Sequence, residues 1–204
     1  TWTVANTANT ARYQTNSTGL QTTTLSMGGA QGSGTGPFSL STAVEAYDGT
    51  NWTTQNSMPG GKASGVPTVG DSSLALVVAG GDTTSGEPSD SVFEYDGTNW
   101  TTVTAYPTAT IAVGAVGTQT ASFFYGGSTN APGSTKTSNT FIYNGTSFAA
   151  DQALPAAASS VGGRSGTSSL ALMPHGNTPA SPSPYNTQTL DWDGTSFSVN
   201  PANT

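Results

Sequence analysis

The sequence predicts an all-β fold made of four repeats of about 48 residues, with one surplus strand at a terminus. Three observations support this prediction. The string YDGTNWTT occurs twice in one register, an apolar strand that ends in small residues recurs in a second register, and no segment of ten or more residues has helical apolar spacing. Each repeat is therefore predicted to form four short antiparallel strands.

A tight hairpin marks each repeat. The strings YDGTNW (47–52 and 95–100), YNGTSF (143–148) and WDGTSF (192–197) carry the turn glycines Gly49, Gly97, Gly145 and Gly194. Aromatic residues flank these glycines, namely Tyr47, Trp52, Tyr95, Trp100, Tyr143, Phe148, Trp192 and Phe197. Asp-Gly and Asn-Gly pairs suit a tight hairpin, so we predict that these residues are structural repeat positions.

Two further markers keep the same period. The apolar run SSLALVVAGG (72–81) recurs as SSLALMPHGN (168–177), and TLSMGG (24–29) and ASFFYGG (121–127) stand at the corresponding places. Three of the aromatic residues that follow the turn are succeeded by a proline seven positions later: Pro59, Pro107 and Pro155. We therefore expect a single repeat domain over 1–204, divided into units 1–51, 52–99, 100–147 and 148–204.

Unit 1 carries an additional N-terminal strand. Residues 1–4 (TWTV) match residues 99–102 (NWTT), which form the fourth strand of a unit, and the last unit already ends in its own fourth strand at 196–200. Seventeen strands do not divide into four sheets of four. The surplus strand is expected to pair with a neighbouring subunit, to make a fifth strand in its own sheet, or to belong to a longer array.

The order of these markers resembles the kelch repeat of β-propellers over nearly the whole chain. Residues 114–121 and 9–12 look like a degenerate kelch type found in predicted surface and structural proteins of aquatic bacteria and their phages. This resemblance implies a kelch-like propeller of four blades with one surplus terminal strand. The basic residue that many kelch units carry shortly after the proline survives only as Arg12 and Lys62.

Composition excludes several partners and chemistries. Only 7% of residues are charged, and 4 Lys and Arg stand against 11 Asp and Glu, so neither nucleic acid nor an anionic membrane surface is an expected partner. The longest apolar run, residues 74–79, is too short for a membrane helix. The chain has no cysteine, which excludes thiol chemistry and the Tyr, Cys and His ligand set of kelch-fold copper oxidases.

The sequence assigns no catalytic, cofactor-binding or metal-binding residue, and we expect neither enzyme activity nor a cofactor. His175 is the only histidine, and it occupies a strand position of the repeat. Asp48, Asp96 and Asp193 could be imagined as a carboxylate pair of a degraded glycoside hydrolase. Turn chemistry is the simpler explanation, because Asn144 replaces the acid in the third repeat and serves a turn equally well.

Glycans enter the predictions in two ways. Sequons make Asn16, Asn51, Asn99 and Asn144 candidate N-glycosylation sites, two of them at equivalent hairpin tips. Separately, variable loops at 31–38 and 126–139 would form the binding rim of a glycan-binding adhesin. A third loop, 82–90, holds three acids that would suit a weak calcium site, although a solvated loop explains them more simply.

We expect a non-catalytic structural subunit of an extracellular fibre or of a phage or virion surface appendage. Exposed sheet edges are normally protected by lysine, and this chain has only Lys62 and Lys136. Its edges are therefore expected to be paired, in a homo-oligomer or a filament that self-assembles through terminal strands. The alternative is a glycan-binding adhesin module, and either would lie in an extracellular or virion-surface location.

Overall fold

The computed structural model describes residues 4–32, 39–63, 66–82, 87–131, 134–159, 165–174, 176, 178 and 189–200. These residues contain eighteen β-strands and no helix, which confirms the all-β prediction. Sixteen of the strands form four antiparallel sheets of four. The other two pair with each other as a short ribbon.

The strands follow one another along the chain, and each sheet is completed before the next begins. Sheet 1 has β1 (Asn16–Leu20), β2 (Thr23–Met27), β5 (Val44–Tyr47) and β6 (Trp52–Gln55). The ribbon of β3 (Ala30–Gln31) and β4 (Ser39–Leu40) lies between β2 and β5 in the sequence. Sheet 2 has β7 (Thr68–Gly70), β8 (Ala75–Val78), β9 (Val92–Tyr95) and β10 (Trp100–Thr102). Sheet 3 has β11 (Gly114–Thr118), β12 (Ala121–Tyr125), β13 (Thr140–Tyr143) and β14 (Phe148–Ala150). Sheet 4 has β15 (Ser165–Gly166), β16 (Ala171–Pro174), β17 (Thr189–Trp192) and β18 (Phe197–Asn200).

The sheets and the sequence units are out of phase by one strand. Residues 52, 100 and 148 open new units in the sequence, yet each of them pairs with the strand before it, as Trp52 does with Tyr47. Sheets 1, 2 and 3 therefore each take their fourth strand from the following sequence unit. The residues after that strand form the linker to the next sheet.

A glycine ends the regular part of each first strand. Gly19, Gly70, Gly117 and Gly166 all have φ between 96° and 132°. A Cβ atom at these positions would lie 2.0 to 2.3 Å from the carbonyl oxygen four residues later, a distance that no side chain could keep. Glycine is thus required by both backbone conformation and close approach.

The four sheets form a curved row, because their first strands converge on one cavity. The first strand of each sheet contacts the first strand of its neighbour, β1 against β7, β7 against β11 and β11 against β15. One backbone hydrogen bond recurs at each junction, since Gly29, Gly80 and Gly127 donate to a linker carbonyl at 2.7 to 2.8 Å. Three apolar cores fill the spaces between successive sheets.

Candidate functional site

The hairpin acids are committed to their own turns. Asp96 Oδ1 accepts hydrogen bonds from the backbone N–H groups of Thr98 (2.8 Å) and Asn99 (2.7 Å). The same pair of bonds forms at Asp48, Asn144 and Asp193. These bonds favour the ionised carboxylate and lower the pKa of the three aspartates, which suits a turn and opposes a proton donor.

The repeated aromatic residues form cross-strand pairs beside each hairpin. The ring centroids lie 5.0, 4.9, 4.6 and 4.7 Å apart in sheets 1 to 4. Trp192 also stacks on Phe123 of the preceding sheet at 4.8 Å with an interplanar angle of 7°, and it is 2% exposed. Its ring face is therefore occupied by protein and is closed to a sugar. Only Tyr47 and Trp52, in sheet 1, are both half-buried.

The four sequons occupy different environments. Asn51, Asn99 and Asn144 are exposed at hairpin tips. Asn16 lies in β1, where its amide nitrogen is buried without a hydrogen-bond partner. A glycosyltransferase acting on the folded chain would meet the three tip residues first.

Several predicted features fall partly or wholly outside the described residues. These are residues 1–3 of the surplus strand, His175, most of loop 31–38 and the middle of the acidic loop 82–90. Within the described part of loop 126–139, Ser128 Oγ donates to the Thr135 carbonyl (2.8 Å) and Asn130 Nδ2 to Ser134 Oγ (2.8 Å). The described residues contain no group of three or more His, Cys, Asp or Glu able to hold a metal. No helix among them could cross a membrane.

The outer face of sheet 1, which bears Ser26 and Glu45, carries a buried ion pair. Arg12 Nη2 lies 3.2 Å from Glu45 Oε1, and both side chains are 1% exposed. Glu45 also accepts hydrogen bonds from the backbone N–H groups of Asn9 (2.8 Å) and Thr10 (3.1 Å). These bonds fasten residues 9–12 across the face of the sheet.

Residues 4–12 follow the path that a linker takes between two sheets. Asn6 Nδ2 donates to the Thr50 carbonyl at the hairpin tip of sheet 1 (2.7 Å). In the linker from sheet 1 to sheet 2, Asn56 Nδ2 donates to the equivalent Thr98 carbonyl (2.8 Å). The N-terminal segment thus reaches sheet 1 as if it came from a preceding sheet. Val4, at its start, is 100% exposed.

The outer face of sheet 4, which bears Leu172 and Asp191, is apolar and uncovered. Leu172 is 44% exposed, whereas its counterparts Leu25, Leu76 and Phe123 in sheets 1 to 3 are 0% exposed because the next sheet covers them. A groove of about 380 Å³ lies here, lined by Ser165, Gly166, Leu170, Ala171, Leu172, Asp191, Trp192 and Asp193. The outer face of sheet 4 is therefore apolar like the covered faces of sheets 1 to 3, but no described residue covers it.

Two carboxylates, Asp191 and Asp193, border this groove. Asp193 accepts two backbone N–H bonds and a third hydrogen bond from Ser196 Oγ (3.1 Å), and its pKa is lowered. Asp191 accepts a hydrogen bond from Asn200 Nδ2. A glycosidase general acid requires a raised pKa, and Asp193 has the opposite.

A second cavity lies where the four first strands converge. It measures about 300 Å³ and is lined by Ser17, Thr18, Thr68, Val69, Gly70, Ala115, Val116, Gly117 and Gly166. Two hydroxyls in its wall cross between sheets: Thr18 Oγ1 donates to the Gly70 carbonyl (2.6 Å) and Thr68 Oγ1 to the Ser17 carbonyl (3.1 Å). The lining is mainly polar and contains no titratable group.

Sequence reasoning missed the role of Glu45, although the sequence held a signal. Glu45 occupies the position that Phe93 and Phe141 fill in sheets 2 and 3. A lone acid in an otherwise apolar column needs a basic or N–H partner, and Arg12 supplies one. The kelch resemblance identifies Arg12 only as a remnant basic residue, not as the partner of Glu45.

Comparisons with known proteins give the fold and nothing more specific. No protein-family model and no curated protein matches the chain. Among solved structures, that of YjhT matches 95% of this chain and 70% of its own chain, with a TM-score of 0.69 and 12% sequence identity. YjhT has a β-propeller-like fold. This chain is therefore similar to YjhT in fold, and its architecture is all-β and propeller-like.

Proposed function

We propose that this protein is a non-catalytic structural subunit of an extracellular fibre or of a phage or virion surface appendage, and that it assembles through its terminal strands. Its sheets would be the four blades of a kelch-like propeller, with the N-terminal strand as the surplus one. The contrast between the two ends of the row carries the proposal. One end offers an exposed segment in a linker path, and the other offers an apolar face without a cover.

Edge chemistry supports assembly. Strand β18 ends the fourth sheet with the sequence FSVN, and Val199 is 46% exposed. Natural proteins usually protect such an edge with lysine, proline or a bulge, and β18 has none of the first two. Contact between two different ends is heterologous, so repetition leads to a ring or a filament.

Electron microscopy of the purified chain tests the proposal. We expect filaments or rings from the full chain and their loss when residues 1–4 are deleted. This short deletion keeps the contacts of Asn6, Asn9 and Arg12 with sheet 1, so the fold is retained. Val4→Thr, which keeps the N-terminal segment at full length, is the matched control. Monomers of the full chain at every concentration would refute the proposal.

A glycan-binding adhesin is the second candidate, and the cavity between the first strands favours it. Ser17, Thr18 and Thr68 give this cavity a hydroxyl-rich wall, which suits a sugar. Binding of the full chain to an array of glycans would support this function. Thr68→Val should then weaken binding, and the exposed variant Thr98→Val should not. An array without any bound glycan would remove this candidate.

A further inference from the structure

We propose that the outer face of sheet 4 docks onto the outer face of sheet 1 of a second copy of this chain, with Asp191 of one copy accepting a hydrogen bond from Tyr47 of the next. This inference rests on the proposed assembly and adds a contact between sheet faces to the pairing of terminal strands. It is drawn from what each interior sheet face contacts and from what the two end faces lack.

Interior junctions follow one packing rule. A residue in the second strand of one sheet shares an apolar core with a residue in the second strand of the next sheet. These pairs are Leu25 with Val77, Leu76 with Phe124, and Phe123 with Met173. Continued by one step, the rule sets Leu172 against Ser26, the residue of sheet 1 that corresponds to Val77.

The two end faces lack complementary halves of this junction. Leu172 in sheet 4 is 44% exposed, and no sheet among the described residues covers it. Tyr47 and Trp52 in sheet 1 are half-buried, while the equivalent Tyr95 and Trp100 are 2% and 9% exposed because a preceding sheet covers them. A second copy supplies both missing sheets at once.

A polar contact indicates that the sheet 4 face of one copy meets the sheet 1 face of the next. Between sheets 2 and 3, the Tyr143 hydroxyl donates to Glu94 Oε1 at 2.8 Å. The only other acid at the position of Glu94 is Asp191, and sheet 1 carries Tyr47 at the position of Tyr143. Head-to-tail docking therefore repeats an acid–tyrosine bond that the chain already makes.

Alternative occupants fit less well. Two copies joined through their sheet 4 faces would bring Asp191 near its own counterpart, and like charges disfavour such a contact. Closure of sheet 4 onto sheet 1 of the same chain would bury Leu172 and engage Tyr47. Instead, Leu172 stays exposed and the Tyr47 hydroxyl donates to the Gly49 carbonyl (3.0 Å).

Introduced cysteines test the interface, because the chain has none of its own. Leu172→Cys and Ser26→Cys would be made separately, mixed at equal concentration and treated with a bismaleimide cross-linker that reaches about 10 Å, the usual spacing of packed sheets. Only docked copies hold the two thiols within this reach, so only docked copies cross-link efficiently. We expect about ten-fold more mixed dimer than from Leu172→Cys mixed with Thr98→Cys, whose thiol lies at an exposed hairpin tip.

Each other outcome contradicts the inference in a recognisable way. An intramolecular cross-link in the double variant Leu172→Cys/Ser26→Cys would mean that sheet 4 packs on sheet 1 of its own chain. Dimers of Leu172→Cys alone would mean contact between two sheet 4 faces. Filaments by microscopy without any cross-link would leave the proposed function standing and overturn this interface, whereas the absence of both would overturn both.

The polar contact has its own test. Tyr47→Phe removes only the hydroxyl, and Asp191→Asn removes only the charge. Each should lower the association constant about ten-fold in sedimentation velocity, and the double variant should lose little more, because the two groups share one hydrogen bond. Additive losses in the double variant would contradict the Tyr47–Asp191 pairing.

Discussion

The outer faces of sheets 1 and 4 stand at corresponding ends of the row but have different chemistry. Sheet 1 presents polar residues, and the buried pair of Arg12 and Glu45 holds residues 9–12 across it. Sheet 4 presents Leu172 to solvent. Arrays of repeats need a polar outer face at each end to remain soluble. Residues 9–12 thus lie across part of the sheet 1 face, whereas no described residue covers Leu172 on the sheet 4 face.

The largest expected effect on stability comes from breaking the ion pair of Arg12 and Glu45. Glu45→Ala would leave Arg12 buried without its carboxylate, so the free energy of unfolding should fall by about 3 to 5 kcal/mol in urea denaturation. Asp191→Ala, at the partly exposed acid of sheet 4, should cost less than about 0.5 kcal/mol. The double variant Arg12→Met/Glu45→Phe should recover much of the loss, because phenylalanine is native at 93 and 141. An equal loss of unfolding free energy in Glu45→Ala and Asp191→Ala would mean that the buried Arg12–Glu45 pair contributes no more than a partly exposed acid does.

A matched pair of leucines sharpens the contrast between covered and uncovered faces. Leu76→Ala should lower the free energy of unfolding by about 3 kcal/mol, because Leu76 is fully buried between two sheets. Leu172→Ala, at the equivalent exposed position, should cost about 1 kcal/mol or less in the monomer. Unfolding is to be followed at a concentration too low for assembly. A monomer in which both variants cost the same would show that sheet 4 is covered within its own chain.

Lys62 gives the junction between sheets 1 and 2 a pH dependence. It occupies the linker position of Arg12, but its Nζ donates to Ser89 Oγ (2.7 Å), and burial lowers its pKa to about 8. Between pH 8 and 10 the unfolded chain binds more protons at this group than the folded chain does. Stability should therefore rise by about 2 kcal/mol across that range.

Tyrosines reverse this trend at higher pH. Burial raises the pKa values of Tyr106 and Tyr143, so above about pH 10 the unfolded chain loses protons that the folded chain retains. We expect a stability maximum near that pH. Lys62→Met should abolish the rise below the maximum and leave the fall above it. A rise that persists in Lys62→Met would assign it to another group.

The smallest effect is expected at the hairpin turns, where the two ends of the chain are alike. Asp48→Asn in sheet 1 and Asp193→Asn in sheet 4 should leave the urea midpoint at pH 7 unchanged, as the native Asn144 already suggests. Alanine at either position should lower the midpoint slightly and equally, because two backbone N–H groups lose their acceptor. Below about pH 4 the aspartate turns should weaken as their carboxylates protonate, and the asparagine variants should not. Unequal effects at the two ends would point to a role beyond the turn.

Most of the fold was predictable because its signals are local. A hairpin at Asp96-Gly97 needs only neighbouring residues, and Gly97 indeed has a φ of 92°. The first-strand glycines, such as Gly70 and Gly166, are a further local signal, because each is required by its own backbone conformation. The pair of Arg12 and Glu45 was not predictable in the same way, since 33 positions separate the two residues and nothing local joins them.

By itself, the sequence determined the all-β repeat, its hairpins and the aromatic positions, because each depends on residues a few places apart. Tertiary structure decided which faces are covered. Leu76 and Leu172 stand in nearly identical local sequences, LALVV and LALMP, yet one is fully buried and the other is 44% exposed. Burial depends on whether another sheet stands alongside, and the local sequence of a strand does not contain that information.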